Sequence, residues 1–252
     1  MKTWEYNVLK LNTPNSPKLF FINNFIEEEI PKVEGDYVEF GVFEGKSFLT
    51  ISYLLSLKDK KIKCYGFDSF KGFSDAIMDH PNDDISKFDT FYNQNSIKSS
   101  HYQDILKLQQ HKKFLENIHQ EKLQHSDLSE SGKFYSELNL KQEIMRKAKY
   151  LKIENIHLYE CNFLEIDSYI DKLPQKISFC LLDADLYQSY EATLPLIWER
   201  LSNKGIIFLD EYYSLKFPGA KIATDEFRDK VKCSLFKIGN SGGFERWVIR
   251  KD

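Results

Sequence analysis

Two apolar runs in this chain finish in carboxylates. In "ISFCLLDADLYQSY" (177–190) the oily stretch stops at Asp183, and Asp185 follows two places on. In "GIIFLDEYY" (205–213) Ile206 to Leu209 lead into Asp210 and Glu211. Unpaired charge beside a core is costly, so something must compensate it. If the two runs are neighbouring strands, Asp183, Asp210 and Glu211 converge and raise one another's pKa. A divalent cation relieves that repulsion, and an all-oxygen donor set suits Mg²⁺ or a similar hard ion. The alternative is that some of these acids cap helices or pair with Lys216 or Lys221. Asp185 has two readings of its own. It orients a substrate, holds a metal-bound water or acts as a base; or it caps the helix that starts near Ser189.

Two further stretches carry chemistry of the same kind. In "EFGVFEGKS" (39–47) Gly41 ends a strand and Gly45 opens a helix, whose first amides then face a ligand. The spacing is GxxxG, not the GxGxxG of dinucleotide binders, which weakens a nicotinamide reading. An ordinary strand-to-helix turn remains the plain alternative. In "YGFDSFKGF" (65–73) Asp68 ends the next strand, about 20 residues past the glycine turn, where a ribose-binding acid belongs. Its alternative is a cap for the following turn. The histidines form no metal cluster. His101, His111, His119 and His125 fall on a polar stretch and are expected in solvent, whereas His80 sits on a candidate lid. The cysteines (Cys64, Cys161, Cys180, Cys233) make no CxxC pair and fit buried small hydrophobes.

The elements that would position these residues alternate between short apolar strands and helical patterns, as in a parallel βαβ sheet. Strands are expected at 36–41, 61–68, 155–161, 176–183 and 205–210. The turn into the last of these falls at Asn203–Gly205. Helices are expected at 45–58, 189–201 and 218–232. The tail pairs as an antiparallel hairpin around 240–243. A polar interruption, roughly 73–152, carries helical patterns at 101–124 and 136–155, with a loop or lid between 72 and 101. Residues 1–34 are expected to pack on a domain spanning 35–252, with a helical lid or insertion over 73–135. The aromatics Phe88, Phe91 and Tyr92 either pack that lid or stack on a substrate.

The chain has 252 residues, 42% hydrophobic, enough for one large α/β core. Its 35 basic and 38 acidic residues give a net charge of −3, which offers no electrostatic case for nucleic acid or an anionic membrane. The N-terminus lacks an apolar leader and no run is long enough to span a bilayer, so a cytoplasmic setting is expected.

"YVEFGVFEGKS", "YGFDSFKGF", "CNFLEI", "LLDADLYQSYEATLPLIWERLSNKGIIFLDEYYS" and "FPGAKIATDEF" together resemble the macrocin O-methyltransferase family, over most of residues 35–250. The resemblance implies a Rossmann-like, doubly wound, three-layer αβα sheet of seven mostly parallel strands, the last antiparallel. It implies S-adenosylmethionine and a divalent metal such as Mg²⁺ as cofactors, and a small sugar acceptor. The methyl donor would lie along Glu39, Phe40, Gly41, Gly45 and Ser47, with Asp68 and Ser69 at the ribose and Asn162 and Phe163 beside the adenine. The metal ligands would be Asp183, Asp210 and Glu211, although many relatives have Asp-Asp where this chain has Asp-Glu. Asp183 would also touch the donor and serve as general base, with Asp185 as a second catalytic residue. A homo-oligomer, dimer or larger, is common in the family. A phenolic or catechol acceptor is the competing enzyme reading; such enzymes usually carry a Lys where this chain has Leu186. A binding protein that has kept the fold is the non-enzyme reading.

Overall fold

The structure, a computed structural model, describes residues 1–59, 61–73, 80–120, 139–241 and 244–252. Seven strands form one sheet: β1 (Asp36–Phe40), β2 (Cys64–Asp68), β3 (Ile156–Glu160), β4 (Ile177–Leu182), β5 (Leu201–Leu209), β6 (Ser234–Ser241) and β7 (Phe244–Arg250). Their order is β3-β2-β1-β4-β5-β7-β6. β1 to β5 pair in parallel, and β7 runs antiparallel to both β5 and β6. The expected sheet is therefore present, with its antiparallel strand wedged between β5 and β6. All six residues of β4 are buried, as a central strand covered on both faces requires.

Helices cover both faces. One layer holds the Phe20–Glu28, Lys46–Lys58 and Leu140–Tyr150 helices, whose apolar sides pack with Tyr37, Phe179 and Phe208 of the sheet. Phe25 meets Phe179 and Phe208 edge-on at 5.6 and 5.8 Å. Burying each such ring stabilises the fold by about 1.5–3 kcal/mol. The other layer holds the Tyr187–Arg200 and Pro218–Val231 helices and the 3₁₀ segment Phe163–Lys172. Residues 1–34 thus contribute the Phe20–Glu28 helix to the first layer. Among the described residues, no helix is long and apolar enough to cross a membrane.

β5 starts earlier than its apolar pattern suggests. The Asn203–Gly205 turn signal lies inside the strand, where the β4–β5 register slips between Ile177 and Phe179 and Lys204 takes a φ of 66°. The surplus residues are absorbed within the strand, around the left-handed Lys204.

The described part of the insertion is helical. Lys87–Asn93 stands where a loop or lid was expected, because Phe88, Phe91, Ile97 and Ile105 form a small core of their own. Tyr92 stacks on Tyr102 at 4.3 Å. These aromatics pack the insertion. Residues 74–79 and 121–138, which hold most of the remaining lid expectation and His125, lie outside the described residues, as do Gly242 and Gly243 of the expected hairpin turn.

Candidate active site

Strand order reverses between β1 and β4, and parallel sheets bind ligands beyond the carboxyl ends of their strands at such a point. A cleft of about 960 Å³ opens there. One wall comes from the loops after β1, β2 and β3. The other comes from the loops after β4 and β5, with Lys18 and Arg246 added from elsewhere in the chain. The loops leaving β1, β2 and β4 each carry a non-glycine residue at positive φ: Phe43 (49°), Phe70 (53°) and Asp185 (58°). Such strained turns persist only where packing over-determines them.

Gly41 joins the two walls. Its φ is 89°, and a Cβ there would lie 1.7 Å from the Asp183 carbonyl oxygen. The close approach that demands glycine is therefore to the neighbouring strand. Gly45 (φ 75°) meets Ile144 of the covering helix in the same way, and lies behind the cleft lining.

On the first wall, Asp68 accepts hydrogen bonds from the Phe43 N–H (2.8 Å) and the Phe70 N–H (2.6 Å). Burial raises its pKa and these amides oppose the rise. A carboxylate has about four acceptor positions, so lone pairs remain for two hydroxyls of a ligand. Asp68 therefore holds its turn and also faces the cleft. Asn162 caps the 3₁₀ segment through the Leu164 N–H (3.1 Å), and Phe163 packs edge-on against Phe40 at 5.6 Å. Asn162, Phe163, Ser47 and Ser69 line the cleft. Glu39 and Phe40 are fully buried behind it. The Glu39 carboxyl is engaged by the hydroxyls of Ser47 (2.6 Å) and Tyr37, and burial pushes its pKa up to about 8.

The second wall gathers four acids. Asp183, Asp185 and Glu211 each offer a carboxylate oxygen, all within 4.8 Å of one another. Glu211 accepts a hydrogen bond from the Tyr190 hydroxyl at 2.8 Å, and burial together with Asp183 and Asp210 drives its pKa well up. Asp210 adjoins this group and is held by two cations. β7 pairs Trp247 with Leu209, and one step further Arg246 donates to Asp210 at 3.1 Å. The Lys18 ammonium sits 3.3 Å from the other Asp210 oxygen and directly against Asp183. Burial opposes the Asp210 charge, but Lys18 and Arg246 hold its pKa down. Asp183 is raised, by burial first and by Asp210, against the pull of Lys18. Burial disfavours the Lys18 cation too, yet the acids raise it well above the usual lysine range.

The acid set anticipated from sequence was Asp183, Asp210 and Glu211; the oxygens that gather are those of Asp183, Asp185 and Glu211, with Asp210 alongside in an ion pair. The donor chemistry suits a hard divalent ion. The charge compensation expected of such an ion is shared here by Lys18 and Arg246. Neither was singled out in the sequence, where Lys216 and Lys221 were the candidate partners. Lys221 instead pairs with Asp225 at 2.7 Å. A surplus of acids at strand ends with no adjacent cation was the one available signal that a partner must come from far along the chain.

Among the described residues, the histidines take structural roles or stay in solvent. His101, expected in solvent, is buried against Tyr213 (centroids 3.7 Å apart) with Nε2 3.0 Å from the Ser214 carbonyl oxygen. It ties the Ser99–His119 helix to the cleft rim. His80 stacks on Tyr187 at 4.4 Å and does not line the cleft. His111 and His119 are exposed. Cys64, Cys161 and Cys180 are buried free thiols.

No curated protein matches the chain. Solved structures share its fold. The O-methyltransferase NovP superposes with a TM-score of 0.62 at 18% identity, over 93% of this chain and 79% of that one. Apo CalS11, described as a TDP-rhamnose 3'-O-methyltransferase in calicheamicin biosynthesis, gives 0.53 at 18% identity, over 90% and 76%. At such identities the likeness speaks to architecture alone. The sequence itself carries the family: the pattern described as "Methyltransferase domain" matches residues 38–212, from β1 through both glycines, Asp68 and the acids after β4 and β5. The chain belongs to this methyltransferase-domain family and is a methyltransferase enzyme.

Proposed function

We propose that this methyltransferase moves the methyl group of S-adenosylmethionine to a hydroxyl of a small sugar acceptor, such as a nucleotide-linked sugar or a precursor of a surface polysaccharide or natural product. One observation carries this reading. A single cleft sets a half-buried, ribose-competent carboxylate, Asp68, opposite a cluster of carboxylates that can take a hydroxyl proton. A volume of about 960 Å³ is enough for a nucleoside and a sugar side by side. The sugar O-methylation named for CalS11 and the resemblance to macrocin O-methyltransferases support the acceptor class.

When bound, S-adenosylmethionine supplies an electrophilic methyl on sulfur, and a divalent ion supplies a Lewis acid that lowers the hydroxyl pKa. The chain's own residues do the rest. Asp68 holds the donor's ribose hydroxyls, while Asn162 and Phe163 flank its base. Asp183, Asp185 and Glu211 would hold the ion. Asp183 accepts the hydroxyl proton as the new O–CH₃ bond forms and the S–CH₃ bond breaks, leaving a neutral thioether. The two cleft walls would hold the donor and the acceptor hydroxyl side by side, the positioning that methyl transfer requires.

The catechol reading is disfavoured because Leu186, packed against Phe217, stands where such enzymes usually carry a Lys. The test is incubation of the protein with labelled S-adenosylmethionine, Mg²⁺ and a panel of nucleotide-linked sugars and catechols, followed by mass. A methylated sugar supports the proposal. Methylated catechol alone, or no donor binding, overturns it.

A further inference from the structure

Lys18 is held in place from two sides. Upstream, the Asn12 N–H donates to the Lys46 carbonyl at 3.3 Å, and the Thr50 hydroxyl donates to the Asn12 carbonyl at 2.7 Å. Downstream, Leu19 is buried in the core at the start of the Phe20–Glu28 helix. Between these anchors the chain makes a turn, with the Ser16 N–H donating to Thr13 at 2.9 Å and the Leu19 N–H to Ser16 at 3.0 Å. The turn delivers one ammonium to the mouth of the acid cluster, against Asp183 and 3.3 Å from Asp210.

The two cations of the cluster differ in kind. Arg246 belongs to a strand in the sheet and binds the Asp210 oxygen that Lys18 does not. Lys18 reaches in on a flexible four-carbon stem that can rotate away while its backbone stays pinned. A hard divalent ion sits about 2.0–2.6 Å from its carboxylate oxygens. An ammonium against the same Asp183 carboxylate would then face a double positive charge in a partly desolvated site.

From this geometry we infer that Lys18 is a built-in competitor of the divalent cation. Its ammonium and the ion exclude each other at Asp183, and the ion binds only when the Lys18 side chain swings out. The inference rests on the reading of the acid cluster as cation-binding and adds what regulates it. Removing Lys18 should tighten ion binding, whereas removing a neighbouring cation that does not touch Asp183 should not.

The test is Mn²⁺ binding to the full chain, followed by the electron paramagnetic resonance signal of free Mn²⁺ at fixed pH and ionic strength. Lys18→Met should bind at least about tenfold tighter than the unaltered protein, and Lys18→Arg and Lys46→Gln should stay within about threefold of it. Lys46 also lines the cleft but pairs with Glu44 at 2.8 Å, so it controls for net charge. Equal, measurable affinity in the unaltered protein and Lys18→Met overturns the competition and leaves the methyl-transfer reading standing. Equal tightening by Lys46→Gln also overturns it. Binding by neither protein overturns both the competition and the cation assignment, with donor binding still open to calorimetry. If Lys18→Met does not fold, Mn²⁺ soaked into crystals of the unaltered protein decides. An ion on Asp183 with Lys18 swung away supports the inference, and an ion with Lys18 still seated there, or no ion on Asp183, overturns it.

Discussion

On the first wall of the cleft, Asp68 is held by backbone amides from residues 2 and 25 positions away. On the second, Asp210 is held by Arg246, 36 positions on, and Asp183 by Lys18, 165 positions back. The contrast follows from the charge each wall must settle. One carboxylate needs only local N–H donors, which the turns after β1 and β2 already point into the cleft. Four carboxylates in a small volume need opposite charge, and the turns that carry them do not supply it. The first wall is therefore local and rigid. The second depends on distant side chains, one of which has a mobile stem.

If the walls act separately, their variants should fail separately. Asp183→Asn is expected to lower turnover about 10²–10⁴-fold while donor affinity, read by calorimetry, changes less than about threefold. A collapse of donor affinity there would break the division. Asp68→Ala should weaken donor binding about 10²–10⁴-fold, the loss of about two charged hydrogen bonds, with turnover at saturating donor largely retained. Gly41→Ala strikes both walls, since its new methyl would collide with the Asp183 carbonyl. A loss of about 2–4 kcal/mol in urea denaturation is expected.

Glu39 sharpens the comparison through pH. It is a buried acid on the first wall's strand with no cation bonded to it, and its folded pKa is about 8. The unfolded value is about 4.3. The folded state therefore holds the proton more tightly, and stability contributed at low pH is lost as pH rises from about 4 to about 8. Glu39→Gln should flatten the fall of the urea midpoint between pH 5 and pH 8, values chosen to lie about within that window. An unchanged slope would show that another group titrates. The smallest effect is expected outside the cleft. Lys237→Ala removes an exposed ion pair to Glu245 (2.7 Å) and should cost less than about 1 kcal/mol, without effect on donor binding.

The parts legible in the sequence were those fixed by neighbours along the chain. Apolar runs at 36–40, 64–68 and 177–182 marked buried strands. Gly41 and Gly45 marked a forced turn, and Asp68 was placed by its distance from that turn. Even there the reason for Gly41 differed from the expected one: the backbone it approaches is Asp183 of its own sheet. The helix at Lys87–Asn93 was missed because its apolar residues, Phe88 and Phe91, are too few to show a helical period and are buried by the insertion's own core.

By itself, the sequence determined the order of strands and helices, the glycine turn and the presence of four acids at two strand ends, because hydrophobic period and turn chemistry act over a few residues. Only the tertiary structure decided which oxygens meet and which cations answer them. Asp185 joined Asp183 and Glu211 through a left-handed turn, Arg246 reached Asp210 through the β5–β7 register, and Lys18 arrived on the turn before the Phe20–Glu28 helix. Electrostatic compensation depends on distance in space, and a charge far away along the chain leaves no local mark at the site it serves.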